Sequence, residues 1–308
     1  LASDFSEALS YIAIDYQSLM IPDMNVQRIK TNSLPFRDVV GCVLSNELLD
    51  AFPVHRFTVH GSHIMEIYVD LRGDEFVEVL DEPSTPFLER RMSELGLNLP
   101  DGFRGEINLE MDSWLDDLSN ILTRGFVLTF DYGHVAKDLY SPRRSNGTLR
   151  CYYRHILENN PYRRIGHQDI TAHVDFTSFM RSAEQRGFAT VGFTTQSEFL
   201  QNLGFSRFFD SLRYRNLSQR ERDANRMGML ALVKTGEMGD FKVHAQARGF
   251  DNGIELLGFQ SENQLMEDSL AIRNLPPTPL LSPEHLDLLS GSYPHLSWEW
   301  EGIWPDGN

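Results

Sequence analysis

The sequence predicts an α/β protein built on a parallel sheet, and three stretches carry that expectation. Val39 to Leu44 is an apolar, β-branched run that turns abruptly polar at Asn46, Glu47 and Asp50 before Pro53. Gly125 opens a second such run, FVLTFDYG, apolar until Asp131 and stopped by Gly133. At the start, a strand at Tyr11 to Ile14, a helical segment around Gln17 to Ile21 and a strand at Val26 to Ile29 give the β–α–β rhythm of parallel pairing. Ligands of open α/β sheets bind beyond the carboxyl ends of the strands. Acids placed there are costly to bury unless a cation or a hydrogen-bond donor meets them. The Asn46–Asp50 segment therefore reads either as one wall of a site or as a surface turn that caps a helix.

After Pro53 the period changes to two. Val54 to Val59 and His63 to Val69 alternate around Gly61-Ser62, a hairpin signal, and Phe76 to Leu80 adds a third strand. Pro83 to Leu95 reads as a helix. Gly105 to Arg124 reads as a longer one whose apolar face carries Leu109, Met111, Trp114, Leu115, Leu118 and Leu122. His134 to Thr171 has little periodicity, with turns at Pro142, Asn146-Gly147 and Asn160-Pro161, and reads as a lid or binding loop. Asp175 is placed to cap a helix from Phe176 to Arg186, which Gly187 ends. A strand at Phe188 to Phe193, helices at Gln196 to Leu203 and Ser218 to Val233, and a strand at Phe241 to Ala245 complete the pattern. Residues 1–258 thus form the expected domain, with insertions at about 54–124 and 134–171. Residues 259–308 read as an irregular, proline-punctuated arm whose Trp298, Trp300 and Trp304 dock on the domain or on a partner.

Composition narrows the function. The net charge of −16 argues against a nucleic-acid partner, which needs a basic face. Cys42 and Cys151 are the two cysteines, too few for a disulfide framework or a thiolate metal site. No apolar run reaches the length of a membrane span. LASDFSEALSYIAID has neither the basic region of a signal peptide nor the character of a transit peptide, and reads like the middle of a longer protein. A nucleophile elbow, a Walker A loop and an H-E-x-x-H motif are all missing. His155, His167, Asp169, His173 and Asp175 cluster in sequence, but their spacing matches no zinc pattern, so no metal is expected. Asp15, at a strand end, either holds ribose hydroxyls in a nucleotide site or caps the turn that follows it.

SNELLDAFPVHRF, FVLTFDYG, GTLRCYYRH and QDITAHVDFTSF, followed by TTQSEFLQNLGF and MGDFKVHAQARG, resemble the MidA-type family of S-adenosylmethionine-dependent methyltransferases. The family includes a mitochondrial complex I assembly methyltransferase, and the resemblance runs from about Tyr11 to Gly249 with the motifs in order. It implies a Rossmann-like class I methyltransferase sheet with an antiparallel β insertion and extra helices. It also implies S-adenosylmethionine as cofactor, and a protein arginine, as on a complex I subunit, as methyl acceptor. The family's E-L-G-P-G-x-G loop, which follows the first strand, has no counterpart here, so the first strand is expected to lie outside this sequence. Glu47 is the candidate guanidinium clamp, with Asp50 second and His173 as proton acceptor or relay. Asn46, Asp15 and Asp131 are the candidate cofactor contacts, and Tyr132 lines the same crevice. Arg150, Tyr152, Tyr153 and Arg154 shape the lid. The rival expectations are a non-catalytic assembly factor with the same fold and a methyltransferase for a different acceptor. The expected location is the cytoplasm, or the mitochondrial matrix in a eukaryote.

Overall fold

A computed structural model describes residues 12–15 (backbone only at 13 and 15), 27–31, 33–61, 63–153, 156–158, 160–250, 253–260 and 280–281. The chain divides into two units, one of Leu1–Val191 with Ala245–Ile254 and one of Gly192–His244 with Glu255–Asn308.

In the first unit, β1 (Ile12–Asp15) and β2 (Gln27–Lys30) pair in parallel, as the opening rhythm requires. The helix expected between them lies outside the described residues. β3 (Val39–Asn46) is followed by the antiparallel insertion: β4 (His55–His60), β5 (His63–Arg72) and β6 (Glu75–Asp81). Then come α1 (Pro86–Leu95), which Thr85 caps, and β7 (Arg104–Ile107). Strand order in this sheet is β6–β5–β4–β7, antiparallel throughout. Residues 104–107 correct the expectation of one helix from Gly105 to Arg124. Four residues pair with β4, Phe57 and Phe103 stack with centroids 6.4 Å apart, and α2 (Glu110–Ile121) begins only afterwards. Its buried Met111, Leu115, Leu118 and Ile121 repeat at helical spacing, so the expected apolar face is real.

β8 (Leu122–Asp131) starts where α2 ends and runs parallel to β3, with Gly41 opposite Gly125 and Asn46 opposite Phe130. The unit also includes residues 189–191 of β14 (Ala189–Thr195) and 245–248 of β15 (Lys242–Arg248), in the strand order β14–β15–β8–β3. β1 and β2 form a separate two-stranded sheet, so the opening and Val39–Leu44 do not share one hydrogen-bonded ladder.

The segment from His134 to Thr171 is structured. β9 (Gly133–His134) and α3 (Ala136–Leu139) precede an antiparallel sheet of β10 (Arg150–Tyr153), β11 (Ile156–Glu158) and β12 (Asp169–Thr171). Cys151 pairs with Ile170 across a long loop, a contact that local periodicity does not register. β13 (Val174–Asp175) pairs in parallel with β9. α4 (Phe176–Gln185) starts at Asp175, whose carboxylate accepts from the Thr177 and Ser178 amides, and Gly187 follows with φ of 80°.

The second unit holds α5 (Gln196–Asn202), α6 (Phe205–Ser211) and α7 (Gln219–Val233), the last opened by a Ser218/Glu221 capping box. The short α6 has no expected counterpart in the sequence. Phe259, at the start of the expected arm, packs edge-on against Phe199 of α5 with centroids 5.2 Å apart. Trp298, Trp300 and Trp304 lie outside the described residues. Among the described residues no helix is long and apolar enough to cross a membrane.

The β3–β8 pairing rests on a glycine crossing. A Cβ on Gly125 would lie 1.8 Å from the Gly41 carbonyl oxygen, whereas one on Gly41 meets nothing closer than 3.9 Å. Gly125→Ala should therefore lower unfolding stability by more than about 2 kcal/mol, while Gly41→Ala stays within about 0.5 kcal/mol of wild type. Equal effects in urea denaturation would contradict this register.

Candidate functional site

The site is the turn after β3, held by the end of β8, by Asn108 and by Ala172. Asp131, at the end of β8 and 1% exposed, turns its carboxylate onto that turn. Its Oδ2 accepts from the amides of Leu48 (3.2 Å), Leu49 (2.9 Å) and Asp50 (3.4 Å), and its Oδ1 from the amide of Tyr132 (2.9 Å). The Glu47 amide donates to the Phe130 carbonyl at 2.9 Å. Asn108 donates to the Leu49 carbonyl at 2.9 Å, and the Ala172 amide donates to the Asp50 carbonyl at 3.0 Å. Leu49 is fully buried beneath the turn. The result is a backbone loop whose polar groups are satisfied from several directions, as buried groups must be.

Both Asp131 oxygens accept from backbone amides within the fold, so Asp131 acts as a latch on the turn. Burial, then the nearby Asp50 charge, raises its carboxyl to about 7 against the lowering effect of those amides. Asp50 is 4% exposed, and burial raises its carboxyl too. The Tyr132 hydroxyl donates to Asp50 Oδ2, and Asp50 Oδ1 is buried with no hydrogen-bond partner among the described residues. Two buried acids this close favour one shared negative charge over two.

Glu47 sits differently. It is exposed, and its φ of 48° is a left-handed conformation that few non-glycine residues adopt. Such backbone persists only where surrounding contacts enforce it. Here the Asp131 and Phe130 bonds do so, and they leave the Glu47 side chain at the surface, 3.5 Å from the exposed Asn46 amide.

The third wall is the AHVDF segment. Gly133 lets β13 approach, because a Cβ there would lie 2.2 Å from the Val174 carbonyl oxygen. The Val174 amide donates to the Tyr132 carbonyl at 3.0 Å. This brings His173 edge-on to Tyr132, with centroids 5.5 Å apart, and within 5.3 Å of His134. Burial, followed by the charges of His134, Arg144 and Arg150, lowers the His173 imidazole to about 4. His173 is therefore neutral across the physiological range, a correction to the unperturbed value near 6.5 that its sequence position suggests.

The structure thus brings Glu47, Asn46, Asp50, Asp131, Tyr132 and His173 to one end of the β3–β8 pair. It places Asp15 at the end of β1, in a separate sheet, and the Asp15 side chain lies outside the described residues. Asp175 is spent on capping α4, His167 and Asp169 are exposed, and His155 and Arg154 lie outside the described residues. Sequence reasoning missed three contributors. Asn108 and Glu106 were hidden in the expected helix. Glu106 accepts from the Thr148 amide and hydroxyl, and Thr148 Oγ1 accepts from the His173 amide at 3.0 Å. His134 carried no motif beyond its place after FDYG.

Comparison with known proteins now adds to this geometry. A family model described as "Putative S-adenosyl-L-methionine-dependent methyltransferase" matches residues 15–194, more than half of the 308-residue chain. The chain belongs to this family. It is 28% identical over 208 residues to the mitochondrial protein arginine methyltransferase NDUFAF7 homolog of Drosophila melanogaster, covering 64% of this chain and 44% of that protein. To the Caenorhabditis elegans NDUFAF7 homolog it is 27% identical over 217 residues, covering 66% and 46%. The chain thus spans less than half the length of these relatives. A crystal structure of a Burkholderia thailandensis protein bound to S-adenosyl-homocysteine superposes with a TM-score of 0.66 and 30% identity, over 76% of this chain and 59% of that one. The Rossmann-like methyltransferase fold expected for the family is the fold observed.

The raised Asp131 carboxyl has a measurable consequence. Its folded value of about 7 lies above an unfolded value near 3.8, so the folded state binds the extra proton between them. Its stability contribution is full below pH 4 and declines as pH rises to 7, by up to about 1.4 kcal/mol per pH unit. The stability of wild type relative to Asp131→Asn should fall over that range in urea titrations. A constant difference would contradict a raised Asp131.

Proposed function

We propose that the protein is an S-adenosylmethionine-dependent methyltransferase that modifies an arginine side chain of a protein, of the complex I subunit kind that the family resemblance implies. The observation that carries this reading is Glu47, exposed on a strained turn that Asp131 holds rigid. Support for the cofactor comes from family membership and from the relative solved with S-adenosyl-homocysteine. The residues at the strand ends fit such a group: exposed Asn46 offers an amide to its polar groups, beyond the carboxyl ends of parallel strands.

S-adenosylmethionine, when bound, supplies an electrophilic methyl carried on a sulfonium. The chain's own residues then have to prepare the acceptor. A guanidinium has a pKa of about 12.5 or more, so only about one in 10⁵ is neutral at pH 7. Glu47 can grip its planar fork with both oxygens, fixing the plane and localising positive charge away from the reacting nitrogen. Such positioning supplies much of a rate enhancement without any covalent step on the enzyme. As the new carbon–nitrogen bond forms, the nitrogen loses a proton. The buried Asp50 carboxylate, hydrogen-bonded to Tyr132, is a base beside the turn. His173 is neutral and accepts a proton only in passing, because its pKa of about 4 makes its charged form short-lived. It therefore suits a relay and not a store.

Glu47→Gln preserves shape and removes the charge that faces the acceptor. Methyl transfer to an arginine peptide should fall about a hundredfold, with S-adenosyl-homocysteine affinity by calorimetry essentially unchanged. Unaltered turnover would remove Glu47 from the clamp role, and loss of cofactor affinity would reassign it to the cofactor side.

A further inference from the structure

A cavity of about 220 Å³ lies among α1, α2 and α4, away from the turn after β3. Its walls carry Arg90, Arg91, Arg181 and Arg186, against Glu94 and Asp112. Four guanidinium groups around one small cavity are unexpected in a chain of net charge −16. The two innermost are neutralised. Arg91, 12% exposed, pairs with Asp112 at 2.5 Å. Arg186 takes Asp116 with two bonds, of 2.7 and 2.9 Å. Ser182 ties these pairs together, donating to Asp112 and accepting from Arg186 at 2.7 Å.

The outer two are not neutralised in the same way. Arg181 makes no ion pair among the described residues; one of its nitrogens donates to the Glu94 backbone carbonyl at 2.7 Å, which fixes the guanidinium at the end of α1. Arg90 reaches Glu94 only at 3.6 Å, with both side chains more than half exposed, a contact of little strength. The cavity therefore holds a pre-anchored guanidinium with unused donors, a second one loosely held, and a rigid floor of paired arginines and serines.

We propose that this cavity binds a phosphate group, either inorganic phosphate or the phosphoryl end of a small monoester. Arginine is suited to this because its planar fork meets two oxygens of a tetrahedral anion at once. Arg181 is the principal ligand, Arg90 closes from the exposed side, and Gln185 on the wall offers an amide donor.

The test is titration of the protein with inorganic phosphate at constant ionic strength, followed by calorimetry, for wild type, Arg181→Gln and Arg90→Gln. Arg90 is exposed, so its variant folds whatever becomes of the Arg181 variant. Wild type should bind saturably with a dissociation constant in about the millimolar range or tighter. Both substitutions should weaken binding, Arg181→Gln by tenfold or more. A monoester such as phenyl phosphate that binds more tightly than phosphate would assign the site to an esterified ligand, and weaker binding to the free anion. No saturable binding by wild type up to roughly 20 mM, or equal binding in all three proteins, overturns the proposal.

Discussion

One carboxylate holds the site together. Asp131 receives three consecutive amides of the turn after β3, and the amide of its own neighbour Tyr132, inside a nearly water-free position. Burying an acid is costly, and the Asp50 charge adds to the cost. Four backbone donors offset part of it, because a carboxylate accepting several N–H groups is stabilised in its charged form. The same bonds join the carboxyl ends of two parallel strands and keep Glu47 in a left-handed conformation that it would otherwise leave. Turn geometry and the exposure of the candidate clamp thus depend on a single side chain.

The residues at this site divide their work according to burial. Asp131 and Asn108 shape the turn and Thr148 fixes the backbone at His173. Buried Asp50 and half-buried Tyr132 and His173 form a polar group whose protonation is displaced from ordinary values by desolvation. Glu47 and Asn46 remain at the surface beside them, where a partner can reach. An acid meant to meet a guanidinium is better left exposed until the guanidinium arrives, since an unpaired buried carboxylate tends to take up a proton.

Much of this was legible in the sequence, for identifiable reasons. Val39–Leu44 and the FVLTFD run showed their strands because buried parallel strands read as unbroken apolar segments. The hairpin around Gly61, the Asp175 cap and the Gly187 stop showed themselves because each depends on local backbone chemistry. β7 did not, because four residues beside an amphipathic helix borrow that helix's apolar pattern. The β10–β12 pairing did not, because its two strands lie on either side of a long, polar loop. The part Asp131 plays in holding the turn was not legible, since the amides that donate to it sit some eighty residues earlier. The lowered His173 value and the arginine cavity were invisible for the same reason: both arise from residues that only the fold brings together.

Amide hydrogen exchange tests the latch most directly. Leu48, Leu49 and Asp50 belong to no strand or helix, so ordinary turn amides at these positions would exchange quickly. If Asp131 holds them, they should exchange as slowly as the amides of β8 itself. Exchange of all three at the rate of an exposed loop would contradict the account.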